Sequence, residues 1–276
     1  MNIGIVGLGL IGGSIAKALR TNTKHTVWGY DINESVCLKA KMLGAIESEL
    51  KEDMLGLCEM VILALYPHDA VKYVETHREK FKKGSVVMDC CGVKRIVCDP
   101  LFSLAEENGF TFIGTHPMAG IEFSGFEYSK NSLFENASVI MIPNPGTDIA
   151  VTHSIKSLFL EIGFASVQIS TPSTHDKIIA CTSQMAHIVS SAYVKSPTAA
   201  EHKGFSAGSF ADMTRVAKLN PVMWTELFLA NSDYLVEELD GFIERLNSYR
   251  TAISGGDGER LLELLEEGSR IKKSFE

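Results

Sequence analysis

The stretch IGIVGLGLIGGS, residues 3–14, does most to limit what this chain can become. A short apolar run, Ile3 to Val6, enters glycines at 7, 9 and 12, after which Ile11, Ile15, Ala18 and Leu19 recur on one face of a helix. A strand, a G-x-G-x-x-G turn and a helix in that order form the opening of a dinucleotide-binding unit. The first glycine allows the tight turn, the second lets a pyrophosphate approach the backbone, and the third lets helix and strand pack closely. The phosphates then sit on the free N–H groups at the helix N-terminus. Asp31, at the end of the next strand-like run TVWGYD, is placed to accept hydrogen bonds from a ribose. The same carboxylate repels a 2′-phosphate and no arginine follows it at once, so NAD is expected rather than NADP. The cofactor-binding set is Gly7, Leu8, Gly9, Leu10, Ile11, Gly12 and Asp31.

Strand and helix signals alternate from there to about residue 170, the pattern of a parallel sheet. MVILAL (60–65) and SVVMD (85–89) lack polar alternation and read as strands buried on both faces. An amphipathic helix over 68–81 lies between them, and Asn33 caps an earlier helix that stops at Gly44. Asp99 and Pro100 read as N-cap and first residue of a helix ending at Gly109. FTFIG, SVIMI (138–142), an Asp148-capped helix and a strand near 165–169 complete seven strand signals. Beyond Pro172 only helical periodicity remains: 174–195, about 208–218, a helix opened by Asn220-Pro221, one near 232–253, and one after GGDG. The expected fold is α/β, a Rossmann-like doubly wound, mostly parallel sheet over 1–170, followed by an all-helical domain over 171–276. Residues 178–194 are apolar nearly all round, which calls for burial on every side and hence for a homodimer joined through the helical domain.

Composition narrows the partners. A net charge of −8 with no basic cluster longer than Lys82-Lys83 or Lys272-Lys273 argues against nucleic acid. The N-terminus lacks a basic n-region and runs straight into folded pattern, so a cytoplasmic protein is expected. The 178–194 run is interrupted by Thr182, Ser183, Gln184, His187, Ser190 and Ser191, which suits a core helix and not a membrane span. Six cysteines without a C-x-x-C pair suggest reduced, buried thiols and no metal site.

GTHPMAG, residues 114–120, follows a strand signal and would hold His116 in a turn pinned by Pro117 and flanked by Gly114 and Gly120. Ligands bind at the carboxyl ends of strands in open α/β sheets, so His116 is the candidate acid/base group. His175 and Asp176 open the first helix of the second half, where they read as capping residues. Arg215 lies three residues after Asp212, a spacing that also allows a surface ion pair.

Taken in order, VGLGLIGGS, DCCGVK, GTHPMAGIEFSGFEYS, LFENASVIM, HDKIIACTSQMAH and ADMTRVAKLNPVMW resemble the motif series of the prephenate dehydrogenase family, which includes arogenate-using relatives. The resemblance runs from residue 1 to about 240. It implies oxidative decarboxylation of prephenate to 4-hydroxyphenylpyruvate with NAD, in tyrosine biosynthesis, by a nucleotide-binding domain joined to a helical dimerisation domain. It also implies that His116 is the catalytic histidine acting on the substrate's ring hydroxyl and that Arg215 binds a substrate carboxylate. His187 matches the second histidine of an S-H-x-x-H pattern, Gln184 stands where the first would be, and Glu122 and Trp224 fall beside the substrate pocket. The chain departs from the family pattern at three positions. Gly92 replaces a frequent serine near the catalytic histidine, Gln184 replaces a histidine, and Ala211 stands where many members carry a basic residue. The last two concern the substrate's side-chain end and bear on prephenate against arogenate.

Two other readings fit the domain plan. A β-hydroxyacid dehydrogenase would need a catalytic lysine on the helical domain, where TSQMAHIVSSAYVK offers Gln184 and His187. A non-catalytic NAD sensor would bind the nucleotide without turnover.

Overall fold

A computed structural model describes residues 1–275 of the chain. Eight strands form one sheet in the order β3-β2-β1-β4-β5-β6-β7-β8. They are β1 (Asn2–Val6), β2 (Thr26–Tyr30), β3 (Ser48–Glu49), β4 (Met60–Leu63), β5 (Val86–Asp89), β6 (Thr111–Pro117), β7 (Ser138–Pro143) and β8 (Ser166–Ile169). All neighbours are parallel except β6 and β7. The strand unread in the sequence is β3, whose two residues are too short to carry a period.

The buried strands show why their sequences lack alternation. In MVIL, Met60 and Ile62 join the apolar cluster on one face of the sheet, whereas Val61 and Leu63 join the cluster on the other. Both faces are covered, so both sets of alternate side chains must be apolar. The covering helices are α1 (Leu10–Asn22), α2 (Glu34–Met42), α3 (Pro67–His77), α4 (Arg95–Asn108) and α5 (Ile149–Glu161). The Asn33 and Asp148 side chains cap α2 and α5 as expected.

Two expectations are corrected here. Helix α4 begins at Arg95, and Pro100 lies inside it. Its first turn is capped from 81–82 residues away, because Asp176 accepts from the backbone N–H groups of Lys94 (2.7 Å) and Arg95 (2.9 Å). The second concerns His116, which stands in β6 rather than in a turn after it. Strand β7 pairs antiparallel there, His116 opposite Ile140 and Pro117 opposite Val139, and this pairing prolongs β6 past Gly114.

The remainder is helical: α6 (Pro172–Ile179), a π-helical turn (Ala180–Gln184), α7 (Met185–Tyr193), α8 (Gly208–Thr214), α9 (Pro221–Ala230), α10 (Ser232–Gly255) and α11 (Gly258–Lys273). The expected single helix over 174–195 is thus interrupted where Gln184 turns inward, and wide turns of this kind gather at functional sites. No described helix is long and apolar enough to cross a membrane. Cys37, Cys58, Cys91 and Cys98 are buried, as expected of reduced thiols, but Cys181 is exposed.

Candidate active site

Strand order reverses between β1 and β4, and the loops leaving their carboxyl ends meet at that point. Gly7 has φ +88°, and a Cβ there would overlap the Ala64 carbonyl oxygen after β4. A Cβ on Gly12 would overlap the Gly7 carbonyl oxygen, which is the close helix–strand approach the third glycine permits. Gly9 differs, since nothing lies within 4 Å of a Cβ built on it. Two glycines therefore serve packing, and the middle one leaves room for a phosphate against the backbone. Leu10 and Ile11 open α1, with N–H groups that have no partner inside the helix. The side chain of Leu8 is fully buried, so only its backbone belongs to this surface. Asp31 accepts from Leu8 N (2.9 Å) and Asn33 N (3.0 Å), which fixes its carboxylate beside the glycine turn at the end of β2. The residues present fit a dinucleotide.

His116 lies near the carboxyl end of β6, two strands further along the sheet from β4. Thr115, just before it, is anchored by a buried lattice of hydrogen bonds. Thr115 N donates to Asp89 (3.1 Å), Lys94 Nζ donates to the Thr115 carbonyl (2.7 Å), and Lys94 also pairs with the Asp89 carboxylate. Burial alone would lower the Lys94 pKa, but Asp89 overcomes this and holds it above its ordinary value.

His116 Nδ1 lies 2.9 Å from His175 Nε2, and His175 Nδ1 lies 2.7 Å from Asp176 Oδ1. His175 and Asp176 are almost wholly buried, and the cap of α6 is Thr171, whose hydroxyl accepts from Thr174 N (3.2 Å). The capping role expected of the His-Asp pair is therefore overturned. A histidine followed by an acid at a helix start gave no local sign of this, because their partners come from β6 and α4. Burial, then the neighbouring His175 and Lys94, push the His116 pKa well below its ordinary value. Burial also depresses His175, against the pull of Asp176. Burial works to raise Asp176, but hydrogen bonds from His175, Arg95 and Lys94 hold it below the usual carboxylate range. Burial thus favours the neutral form of both imidazoles, and the hydrogen bonds favour the ionised form of the carboxylate beyond them.

A second group of expected site residues comes from the helical domain. Nδ1 of His187 donates to the Ser183 carbonyl (2.8 Å), and its ring lies against Trp224 with centroids 3.9 Å apart. Burial lowers the His187 pKa, and Arg215 adds to the effect from nearby. Arg215 follows α8, and its guanidinium forms no ion pair with Asp212 or any other described residue. Helix α9 connects the two groups of residues. A Cβ built on Gly92 lies 3.8 Å from His116 Nε2 and 3.5 Å from Leu227, one turn beyond Trp224. Glu122 is exposed on the loop after β6.

Gln184 is placed otherwise. It is buried, its amide donates to the Leu227 carbonyl (3.0 Å), and its oxygen accepts from Asn231 (2.8 Å). Both ends of the amide are engaged within the protein. Asn231, which the sequence did not single out, also donates to the Asp176 carbonyl and accepts from Arg95, each at 2.9 Å. Arg95 reaches on to Asp233 of α10 and lies over the Tyr234 ring, so the two domains are fastened behind the histidine pair.

The chain matches the family description "Prephenate dehydrogenase, nucleotide-binding domain" over residues 15–168 and "Prephenate dehydrogenase, dimerization domain" over residues 171–267. It is 31% identical over 266 residues to a prephenate dehydrogenase of Bacillus subtilis, covering 93% of this chain and 71% of that one. Its fold is similar to the structure of prephenate dehydrogenase from A. aeolicus in complex with hydroxyphenyl propionate and NAD+, with a TM-score of 0.87, 30% identity, and 100% and 98% of the two chains covered. It is similar also to the Synechocystis arogenate dehydrogenase, with a TM-score of 0.84, 26% identity and full coverage of both chains. With both halves of the molecule matched in order, and a curated relative 31% identical over 93% of this chain, the chain belongs to the prephenate dehydrogenase family.

Proposed function

We propose that the protein oxidises prephenate with NAD+ and releases carbon dioxide and 4-hydroxyphenylpyruvate. The observation that carries this reading is His116: anchored on β6, its pKa pushed down by burial, and its Nε2, beside Gly92, free of any hydrogen bond from a described residue. Prephenate carries a ring hydroxyl opposite a ring carboxylate. Nε2 of His116 takes the hydroxyl proton as the carbon bearing it becomes a ketone, and loss of the carboxylate then makes the ring aromatic. Gly7 to Gly12 and Asp31 would hold NAD+, which would supply the hydride acceptor when bound. Arg215 meets a substrate carboxylate with two parallel hydrogen bonds, which a dianion requires in a chain of net charge −8. His187 and Trp224 line the same pocket and Glu122 edges it. The active form is a homodimer joined through the helical domain.

Arogenate, with an amine in place of the side-chain ketone, is the second reading. Full-length similarity to an arogenate dehydrogenase and the uncharged Ala211 favour it. NADH formation measured side by side with prephenate, arogenate and a simple 3-hydroxy acid decides among these. Turnover of the 3-hydroxy acid alone would sink the proposal, and NAD+ binding without turnover of any would make the protein a sensor. NAD+ should be preferred to NADP+, and replacing Asp31 by serine should narrow the preference, as read from kcat/KM for each nucleotide.

A further inference from the structure

We propose that His175 and Asp176 are positioning residues that set the tautomer of His116, so that its Nε2 keeps a lone pair and its Nδ1 keeps the proton. The inference rests on the acid/base reading of His116 given above.

The direction of each hydrogen bond follows from the end of the chain. Asp176 receives four donors, two on each oxygen: Lys94 N and His175 Nδ1 on Oδ1, and Arg95 N and Arg95 Nε on Oδ2. A carboxyl group so surrounded has no place for its own proton and can only accept. His175 Nδ1 must therefore carry the hydrogen. In a neutral imidazole this leaves Nε2 of His175 as the acceptor, so His116 Nδ1 is the donor across the 2.9 Å contact. The lone pair of His116 is left on Nε2, which lies 3.8 Å from where a Cβ on Gly92 would stand and has no hydrogen-bond partner among the described residues. Free imidazoles of histidine prefer the opposite tautomer, so this direction is imposed by the protein.

When Nε2 receives the substrate's hydroxyl proton, His116 becomes an imidazolium with hydrogens on both nitrogens. Its Nδ1–H still donates to His175, and the negative charge of Asp176 lies at the far end of that ring. No other proton moves, and the one taken up returns to the ring oxygen once loss of carbon dioxide has left a phenolate there. The other charges facing the pair are already committed: Lys94 to Asp89, and Arg95 to Asp176 and Asp233. Helix α4 and helix α10 thus hold the acid that orients the base.

The test combines nitrogen NMR with kinetics on the full-length enzyme labelled with 15N-histidine, the His116 signals being assigned by their loss in His116→Asn. The substrate-free wild type should show His116 protonated at Nδ1 near neutral pH. His175→Ala should shift it toward the Nε2-protonated form and lower kcat about 100-fold, with KM changed by less than about threefold. His175→Gln, whose side-chain oxygen can still accept from Nδ1, should keep the tautomer and recover part of kcat; it also serves if the alanine variant does not fold. An Nε2-protonated His116 in the wild type, or an unchanged tautomer and kcat in His175→Ala, would overturn the inference. The NMR result stands whichever substrate is used, so failure of the prephenate reading is seen separately, in the wild-type assay.

Discussion

At the scale of single residues, His116 and Arg215 should give different kinetic signatures. His116→Asn removes the base without touching a nucleotide contact, so kcat should fall by roughly 100-fold or more while NAD+ affinity, read by titration, stays near that of the wild type. Arg215→Ala removes a charge-assisted carboxylate contact of about 2–3 kcal/mol, so KM for the substrate should rise far more than kcat falls. The pH dependence has a fixed sign. Burial depresses His116, so the acid limb of kcat/KM should lie below its ordinary value of about 6.5 and the rate should be flat above it. His116 and His175 are both depressed on folding, so the unfolded chain binds more protons below about pH 6.5. Stability should therefore fall as pH drops through that value, in urea titrations at pH 7.5 and 5.5. An acid limb above pH 7 would assign the base elsewhere.

The turn between β1 and α1 separates packing from binding within one element. Gly12→Ala drives a methyl group into the Gly7 carbonyl, a backbone atom that cannot swing away, so it should cost roughly 1–3 kcal/mol and lower Tm visibly. Gly9→Ala meets nothing within 4 Å, so Tm should hold while NAD+ affinity drops, because the methyl group occupies the space a phosphate needs. Equal loss of Tm in both variants would contradict this division. Helix α4 gives a related lesson. Its start is decided by a carboxylate from α6, and the Asp99-Pro100 pair that reads locally as a helix start lies within the helix.

For the whole molecule, the helical domain leaves apolar surface that a monomer would expose to water. On α10, Val236, Ile243, Leu246 and Ile253 recur at steps of seven, three and seven, and each is more than half exposed. That spacing makes one seam along the helix. Ile178, Tyr193, Leu262 and Leu265 are exposed as well, in the part of the chain that matches a dimerization domain. Ile243→Lys should convert a dimer into a monomer in sedimentation velocity at micromolar protein, with helical circular dichroism retained below the unfolding transition. A wild type that sediments as a stable monomer would remove the need for a partner.

The sequence by itself determined the parts whose physics is local. Glycines at 7, 9 and 12 between an apolar strand and a helix admit little but a dinucleotide turn, and period and capping residues placed most elements within a few residues. The loss of strand signals at residue 171 marked the passage from sheet to helices. Motif order named His116, His187, Arg215 and Trp224, and the structure sets the last three side by side on the helical domain, with α9 running on to His116. Only the tertiary structure decided that β7 runs against β6 and carries His116 into a strand, that Asp176 caps α4, and that His175 joins the base to that acid. It also turned Gln184 inward onto Leu227 and Asn231. The hydrogen bonds of Asp176 to Lys94, His175 to His116 and Gln184 to Leu227 link residues from 43 to 82 positions apart, and a hydrogen bond across such a separation leaves no period or spacing in the chain. What selects them is the need of each buried polar group for a partner once folding has removed water, a condition that exists only in the assembled core.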